Sequence, residues 1–428
     1  MTTFYLLILF MLPAVMAVGI AIPRRRELSA QWVGELVIAT ALLVLGAMLA
    51  LCRLPVGTVI VSPVVGLSFT FGGFQRLYGL VVCFMWLICA MLSPQYFRGH
   101  RHLRRYYFFF LICLSFTLGV FLSADLKTTF LFFELMSLGS YVWVVQEETP
   151  EALEAGKTYL TIAVLGGLVT LMGLFLLQHL TGTLMLSALK AACAAVTDRT
   201  ALWWAALCVF FGFAAKAGVF PLHIWLPKAH PVAPAPASAL LSGIITKAGV
   251  IGIIRVLYFI AGPSVLRGTW VQTACLLLAL GTVFMGSMLA YGERDFKKRL
   301  AYSSISQISY VLTALFLLTE DGLTGGLLQV FFHAWAKIGL FLIAGVIIHL
   351  AGLRNVEDFR GLGRRLPVTF LCLVFVSLSL VGIPPFGGFV SKWAISLAAL
   401  DGLGGPLAYL VPAVLLVSAL SLIHISEP

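Results

Sequence analysis

The stretch Phe211–Pro227 reads FGFAAKAGVFPLHIWLP, an almost wholly apolar segment that nevertheless contains Lys216 and Pro221. Apolar segments recur along the chain in runs of about 18 to 25 residues, the length that a helix needs to cross ~30 Å of hydrocarbon. A proline interrupts such a helix because it lacks a backbone donor and clashes with the preceding turn. Lipid tolerates the interruption only where protein buries it or a wet cavity faces it. The stretch therefore predicts a broken transmembrane helix beside a buried lysine.

The composition of the whole chain agrees with this interpretation. The 428 residues are 61% hydrophobic and 11% charged, and their mean hydropathy is +1.04, whereas soluble domains carry about 25% charged residues. A membrane β-barrel would require alternating segments of about ten residues, and the sequence has none. The predicted fold class is therefore all-α, a polytopic transmembrane helical bundle.

About thirteen apolar segments are long enough to span a bilayer. One of them, 367–400, is interrupted at Ile383–Val390, which reads IPPFGGFV and matches the proline break at Pro221. The predicted segments are 4–22, 32–51, 77–93, 105–123, 126–146, 157–180, 202–224, 238–261, 271–291, 300–318, 325–350, 367–400 and 404–423.

The positions of the two breaks indicate an internal repeat. Each broken segment is the fourth member of a five-segment group. Matching breaks in two halves resemble the inverted repeats of secondary transporters; the alternative is two unrelated proline kinks. The predicted domains are residues 1–104, with the N-terminal transmembrane helices, and residues 105–261 and 271–423, with one five-helix repeat each.

The net charge of +11 reflects basic residues that cluster in short loops between apolar segments. Lys and Arg in cytoplasmic loops encode membrane topology. The pattern therefore predicts that the chain lies in a lipid bilayer and does not bind nucleic acid. An N-terminus outside the cell puts 17 basic residues in the inner loops and six in the outer ones. The inner clusters are Arg24–Arg26, Arg98–Arg105, Arg294–Arg299 and Arg354–Arg365.

The sequence predicts no catalytic, cofactor-binding or metal site within this chain. Its eight cysteines form no C-x-x-C pair, so neither an iron–sulfur cluster nor a zinc site is expected. It also contains no nucleotide-binding loop and no nucleophile elbow. The energy for any active process must therefore come from another polypeptide.

Five basic residues fall within the spanning segments, and Glu134 is the one acid near the middle of a segment. A charge at the centre of a bilayer costs about 2.5–3.5 kcal/mol on insertion scales, so each of these residues requires a partner, water or a function. A row of titratable groups across the membrane interior is the simplest function. The buried charges are Lys216, Lys247, Arg255, Lys337, Lys392 and Glu134.

The lysines and one histidine are candidate proton carriers. Burial and a movable carboxylate can switch a lysine between its charged and neutral forms, which predicts Glu134 as the partner of Lys216. His333 and Lys337 are spaced i, i+4 and share one helix face. The alternatives are a structural ion pair for Lys216 and for Lys247, a polar contact that holds two helices together for His333 and Lys337, and snorkelling for Lys392.

Three other polar residues are not assigned as proton carriers in this scheme. Arg255 stays protonated at physiological pH and is interpreted as a structural or water-anchoring residue. His223 and His230 flank the first break. They are candidates for lining a cavity, and the alternative is an interfacial position.

Four motifs resemble the antiporter-like proton-translocating subunits of respiratory complex I. The same family includes membrane subunits of membrane-bound hydrogenases of the formate hydrogenlyase type and of multisubunit sodium/proton antiporters. The resemblance extends from about residue 105 to residue 400. The motifs are Lys216-Ala-Gly-Val-Phe-Pro-Leu-His-Ile-Trp-Leu-Pro227, Ala237-Ser-Ala-Leu240 with Lys247, Leu300-Ala-Tyr-Ser-Ser-Ile-Ser-Gln307 and His333-Ala-Trp-Ala-Lys337.

The resemblance implies a bundle of about fourteen helices with two inverted five-helix repeats and a hydrophilic axis in the membrane plane. It assigns proton translocation along that axis to residues that match the family's motifs. Family members usually continue into at least one more helix, so the C-terminus at Pro428 is expected to be truncated. The implied axis consists of Glu134, Lys216, Lys247, His333, Lys337 and Lys392.

The resulting hypothesis is a proton-translocating subunit of a redox-driven complex, either a complex I-like NADH/quinone oxidoreductase or a membrane-bound hydrogenase. Its expected partners are other membrane subunits and a soluble redox arm that holds iron–sulfur clusters with flavin or nickel–iron. The expected location is the inner (plasma) membrane of a prokaryote. The alternatives are a subunit of a sodium/proton antiporter without a redox partner and a non-conducting scaffold subunit.

Overall fold

The computed structural model describes residues 2–22, 30–62, 66–100 and 102–423, and most of them are helical. The all-α fold class is therefore confirmed. The chain divides into two compact units, with the boundary between Phe213 and Ala214. The predicted basic cluster Arg24–Arg26 and the C-terminal residue Pro428 lie outside the described residues.

The first unit contains the N-terminal helices and a short antiparallel hairpin. Its elements are α1 (Thr2–Ala21), α2 (Ala30–Cys52), β1 (Thr58–Ser62), β2 (Leu67–Thr70), α3 (Gly73–Tyr96), α4 (Leu103–Leu122), α5 (Leu126–Val144), α6 (Pro150–Thr181), α7 (Leu186–Ala195) and most of α8 (Arg199–Ala217).

The second unit begins within the last turn of α8 and contains the two helix breaks. A 3₁₀ turn (Leu222–Trp225) follows the first break. Two π-helical turns, Leu241–Ile245 and Val256–Ala261, flank α11, and a second 3₁₀ turn, Val356–Phe359, precedes α16. The helices are α9 (Leu226–Val232), α10 (Ala235–Leu240), α11 (Thr246–Arg255), α12 (Pro263–Leu266), α13 (Trp270–Gly292), α14 (Phe296–Phe316), α15 (Glu320–Ala351), α16 (Leu362–Arg365), α17 (Pro367–Val381), α18 (Gly387–Gly402) and α19 (Pro406–Ile423).

Nine helical stretches among the described residues are long and apolar enough to cross a bilayer. The predicted segment 367–400 is divided into α17 and α18 by its proline break, so each half is shorter than a full span. The helices correspond in order to the predicted segments, and the largest differences are the end of α8 at the first break, at Ala217, and the start of α6, at Pro150. The sequence analysis missed α7 and the hairpin.

The hairpin is held to the helices by a buried polar contact in the first unit. The Ser68 hydroxyl donates to the Asp125 carboxylate, which also accepts from the Thr128 backbone N–H at 2.7 Å. Asp125 thus caps α5 and satisfies one of the backbone donors that a helix start leaves free. The cap fixes the beginning of the helix that carries Glu134.

The order of helices and caps recurs at a constant spacing of 170 residues. Asp125 caps α5 and Asp295 caps α14, and each forms an isolated antiparallel bridge, to Met185 and to Asn355. The helices α6 and α15 each have 32 residues. This pattern supports the predicted five-helix repeat. The pairs at that spacing are Asp125 and Asp295, Thr149 and Thr319, Gly182 and Gly352, and Met185 and Asn355.

Candidate functional site

Lys216 lies in the last turn of α8, directly before the first break. Its ammonium lies 5.8 Å from the centre of the Trp225 ring, a distance at which the ring face attracts a cation. The Trp225 indole N–H donates to the Ala215 carbonyl at 2.9 Å, so a side chain of the 3₁₀ turn is bonded to the backbone at the end of α8. Gly218 has a φ of +76°, which favours glycine and lets the chain turn here. The break therefore holds Lys216 at a helix end inside protein.

Glu134 lies midway along α5 and packs against α6. A Cβ atom at Gly167 would lie 2.6 Å from Glu134 Oε1 and 2.7 Å from its Oε2. The absence of a side chain at Gly167 therefore makes the space that the carboxylate occupies. Glu134 belongs to the first unit and Lys216 to the second, and their pairing stays a prediction.

Lys247 is buried in the second unit, directly after a π-helical turn. Its ammonium donates to the Ser242 carbonyl at 2.5 Å and lies 3.5 Å from the Thr246 hydroxyl. π-helical turns are frequent at functional sites. This turn packs closely on α15, since a Cβ atom at Gly243 would lie 2.3 Å from Ile338 Cγ1. The turn thus brings Lys247 towards the helix that carries Lys337.

Lys337 is fully buried on α15 and is held by α14. Its ammonium donates to the Leu300 carbonyl at 2.8 Å and to the Ser303 hydroxyl at 2.5 Å. Ser304 also donates to the Leu300 carbonyl, at 2.9 Å, and its hydroxyl lies 2.8 Å from that of Ser242. A continuous set of hydrogen-bonded groups therefore joins Lys337 to the turn that holds Lys247. At the repeat spacing of 170, Ser304 corresponds to Glu134 and Lys337 to Gly167.

His333 lies one turn before Lys337 on α15 and is buried. Neither of its ring nitrogens has a hydrogen-bond partner among the described residues. Its ring lies close enough to Lys247, Lys337 and Lys392 for electrostatic interaction with all three. An unpaired buried polar group costs about 1–3 kcal/mol, so an apolar residue would be more stable at this position. This cost favours a functional role for the histidine.

Lys392 is buried on α18, shortly after the second break. Its ammonium donates to the carbonyls of Leu380, at 2.9 Å, and Val381, at 2.6 Å. It also lies 4.8 Å from the centre of the Tyr310 ring. The carbonyls belong to the end of α17, where the break frees them from the helical hydrogen-bond pattern.

A second set of polar side chains joins α14, α15 and α18 beside Lys392. The Gln329 amide donates to Gln307 Oε1 at 2.5 Å and accepts from the Ser391 hydroxyl at 2.5 Å. All three side chains are buried. Because Ser391 precedes Lys392 in the chain, this set fixes the turn of α18 that carries the lysine.

The remaining predicted polar residues are also inside the protein. His230 is fully buried and stacks on the Phe341 ring at 4.8 Å, while His223 stacks on Phe220 at 5.5 Å. Arg255 is buried at the end of α11. His230 is thus enclosed by protein, and both the cavity-lining role and the interfacial position of these histidines stay predictions.

The sequence analysis missed Lys297, which it placed in a basic loop. The structure puts this lysine in the first turn of α14, where it is buried and donates to the Ala233 carbonyl at 2.9 Å. Its ammonium interacts electrostatically with His230. Asp295 in the sequence could have indicated this position, because it is the N-cap of α14 and the helix therefore begins before the predicted segment 300–318.

Among the buried basic side chains of the second unit, three lysines donate to hydroxyl or carbonyl groups, and His333 interacts electrostatically with these three. Amines and imidazoles take up and release protons, and hydroxyls can accept on one side and donate on the other. No group of three or more His, Cys, Asp or Glu side chains among the described residues is placed to hold a metal ion. The arrangement is therefore chemically suited to moving protons. The four residues are Lys247, His333, Lys337 and Lys392.

Comparisons with known proteins agree with this chemistry. Residues 123–416 match the family described as NADH:quinone oxidoreductase/Mrp antiporter, TM. The chain is 32% identical to the NADH-quinone oxidoreductase subunit N of Desulforudis audaxviator over 80% of this chain and 67% of that protein. It is 31% identical to the Hydrogenase-4 component B of Escherichia coli over 78% of this chain and 52% of that protein. The chain therefore spans between about half and about two thirds of the length of these curated relatives.

A solved structure extends the likeness to almost the whole chain. The Mrp complex from Dietzia sp. DQ12-45-1b contains a chain that superposes with a TM-score of 0.87 and 28% sequence identity. The superposition covers 99% of the present chain and 79% of that chain. The similarity therefore includes the two breaks and the helices that carry the buried lysines.

Proposed function

Because the chain belongs to the NADH:quinone oxidoreductase/Mrp antiporter transmembrane family, we propose that it translocates protons as an antiporter-like subunit of a redox-driven membrane complex. It is a multi-pass integral membrane protein. The observation that carries the proposal is the set of buried basic residues in the second unit, joined by hydroxyl and carbonyl groups from α14 and the π-helical turn.

In the proposed mechanism, protons pass between amines that are alternately charged and neutral. Lys216 takes up a proton when the Glu134 carboxylate favours its charged form, and it releases the proton when that influence is withdrawn. Lys247 then carries the proton at the centre, where Ser242 and Thr246 orient its ammonium. His333 is one of the groups that carry the proton onward.

Lys337 and Lys392 complete the path in this proposal. The Ser303 hydroxyl accepts from Lys337 and provides a relay, whereas the Leu300 carbonyl can only accept and therefore fixes the ammonium in place. Lys392 is the terminal carrier. The redox step in partner subunits supplies the energy for transport. It changes the charge in those subunits, and this change favours either proton binding or proton release at each lysine.

The proposed partners follow from the same family assignment. They are further membrane subunits and a soluble redox arm with iron–sulfur clusters and either flavin or nickel–iron. The Hydrogenase-4 component B and the NADH-quinone oxidoreductase subunit N among the relatives support these two possibilities. We place the complex in the plasma membrane of a prokaryote, with the N-terminus outside, and assign one five-helix repeat to residues 105–261 and one to 271–423.

A second candidate function is a subunit of a multisubunit sodium/proton antiporter without a redox arm. The likeness to the Mrp complex over 99% of the chain supports it. The two candidates differ in what drives transport. A redox-driven complex requires an electron donor, whereas an antiporter moves protons in response to a sodium gradient alone.

The experiment that tests the proposal compares wild type with Lys216→Ala in the complex purified with its native partners. Proton transport is measured in proteoliposomes with a pH-sensitive dye, and assembly is measured by native electrophoresis. We expect Lys216→Ala to assemble normally and to lose proton transport. Wild-type transport in this variant would leave the scaffold role as the better account. Sodium-driven transport without redox metals would favour the antiporter.

A further inference from the structure

We propose that the face of the Tyr310 ring positions Lys392 and stabilises its ammonium form, so that Tyr310 sets the pH at which this lysine releases its proton. The inference rests on the proposed proton translocation, because it concerns the terminal carrier of that path. It assigns Tyr310 the role of a positioning residue, since the proton itself passes through Lys392.

The geometry around the Lys392 ammonium forms a cage with three sides. The carbonyls of Leu380 and Val381 accept two of its three N–H donors, at 2.9 and 2.6 Å. These carbonyls belong to the C-terminal end of α17, which carries the partial negative charge of the helix dipole. The Tyr310 ring provides the third side, with its centre 4.8 Å from the ammonium nitrogen. Each side attracts a cation and none is itself charged.

The Tyr310 ring is held in place independently of the lysine. Its hydroxyl donates to the Leu415 carbonyl of α19 at 2.9 Å, and the side chain is fully buried. Further along α19, the Ser418 hydroxyl lies 3.2 Å from that of Ser306 on α14. α14 and α19 therefore fix both ends of the ring, so its face is already oriented when Lys392 becomes charged.

Two glycines let the lysine stem and the two helices approach closely at the break. A Cβ atom at Gly382, which has a φ of +87°, would lie 2.8 Å from Lys392 Cδ. A Cβ atom at Gly388 would lie 1.8 Å from the Ser379 carbonyl oxygen, so α17 and α18 meet backbone to backbone. The lysine stem therefore runs along the backbone of the break. The ammonium stays beside Tyr310 in this packing.

The titratable groups that face Lys392 from its packing neighbours are few among the described residues. From α15 it faces His333, with which it interacts electrostatically, and from α14 it faces Tyr310. α17 carries no charged side chain. The titratable residue of α19 is Tyr409, which is exposed, and the acid of α18 is Asp401, which is also exposed. The ring face is therefore the neighbouring side-chain group that favours the ammonium.

The test replaces the ring without emptying its site. Tyr310→Phe retains the ring face and removes the hydrogen bond to Leu415, so the pH profile of proton transport should stay at its wild-type position. Phenylalanines with one, two and three fluorines at position 310 keep nearly the same volume and weaken the attraction of the ring for a cation in steps. A lysine that loses this attraction gives up its proton at lower pH. The alkaline limb of the profile should therefore move stepwise to lower pH.

The total shift expected for Tyr310→Leu is about one to one and a half pH units, the equivalent of a desolvated cation–π contact. Tyr106→Leu is the matched control, because Tyr106 is also a fully buried tyrosine but packs against Phe97 and Phe110. It should leave the profile in place. If Tyr310→Leu does not assemble, the fluorinated series decides the question.

The outcomes separate this inference from the proposed function. The measurements use the assembled complex in proteoliposomes, with Lys216→Ala as a reference. If Lys216→Ala abolishes transport and the fluorinated series leaves the profile unmoved, the role of Tyr310 is refuted and proton translocation stands. If Lys216→Ala transports protons like the wild type, the proposed function itself fails. A stepwise shift together with loss of transport in Lys216→Ala supports both.

Discussion

A single methyl group at Gly167 tests whether the position of the Glu134 carboxylate matters for transport. In Gly167→Ala the added Cβ atom would lie 2.6 Å from Glu134 Oε1, whereas an ordinary contact begins at 3.4 Å. The carboxylate must therefore move by at least the difference of 3.4 and 2.6, about 0.8 Å. The substitution leaves every charge in place. It changes only where the acid lies.

The expected effect on transport is large and the expected effect on stability is small. A displacement of about 1 Å at a reacting group can lower a rate by about 100-fold. Alanine favours a helix over glycine by about 1 kcal/mol, which offsets part of the cost of moving the flexible Glu134 side chain. We therefore expect Gly167→Ala to assemble like the wild type and to transport protons about 10- to 100-fold more slowly.

The assay is proton uptake into proteoliposomes that contain the assembled complex, normalised to the amount of complex on native gels. Gly46→Ala is the matched control, because a Cβ atom there meets nothing within 4 Å and brings the same gain in helix propensity. Transport at the wild-type rate in both variants would refute the assignment of Glu134 to the proton path. Loss of assembly in Gly167→Ala but not in Gly46→Ala would instead indicate that the Glu134 side chain cannot move away from the added methyl group.

Three other substitutions test contacts within one unit or the other. Ser303→Ala removes one of the two acceptors of the Lys337 ammonium and should slow proton transport in proteoliposomes by about tenfold or more without loss of assembly. Gly388→Ala puts a methyl group 1.8 Å from the Ser379 carbonyl oxygen and should reduce the folded yield on size-exclusion chromatography to a small fraction of the wild type. A hydrogen bond from an arginine lowers the pKa of Glu148 below its usual 4.5, so this pair stabilises the fold above pH 4.5. The melting temperature of Glu148→Gln should therefore lie below that of the wild type near neutral pH, and the difference should vanish as the pH falls below 4.5.

The helices and the buried lysines were predictable because their signals are local. An apolar run of sufficient length marks a spanning helix by itself, and a proline within it marks a break. A lysine inside such a run is expected within the protein, because exposing its charge to lipid is costly. Lys247, Lys337 and Lys392 were found in this way, and the structure buries all three.

The polar groups that hold these lysines were not predictable from the same signals. Ser242, Gln329 and Ser391 carry no charge, so they do not stand out in the sequence beside the lysines. Their role depends on which helices meet. The sequence does not specify that the π-helical turn at 241–245 packs against α15.

Lys297 was missed because hydropathy marks the apolar part of a helix and not its start. The three basic residues after Phe296 resemble a loop cluster, yet Asp295 caps the helix before them and one of the three is buried. The hairpin was missed for a similar reason. Its strand Thr58–Ser62 has β-branched residues but is too short to show a clear alternation.

The 170-residue spacing that favours an internal repeat lies in the caps and not in the apolar segments. Asp125 and Asp295 begin equivalent helices 170 residues apart, although the helices that follow have little sequence in common. Caps and glycine ends depend on backbone geometry, which a repeat retains when its side chains diverge. At this spacing, Glu134 corresponds to Ser304 and Gly167 corresponds to Lys337. The side chains at these corresponding positions therefore differ, although the caps are alike.

Proton transport by Lys337→Met in the assembled complex shows whether the buried lysines conduct protons. Methionine has a similar length and fills the buried site, but it cannot carry a proton. Lys190→Met is the control, because Lys190 is exposed on α7. The account predicts that Lys337→Met assembles fully and loses at least about 99% of the proton flux, the effect expected when a proton-carrying group is removed, while Lys190→Met transports like the wild type. Wild-type flux in Lys337→Met would contradict the claim that the buried lysines conduct the protons.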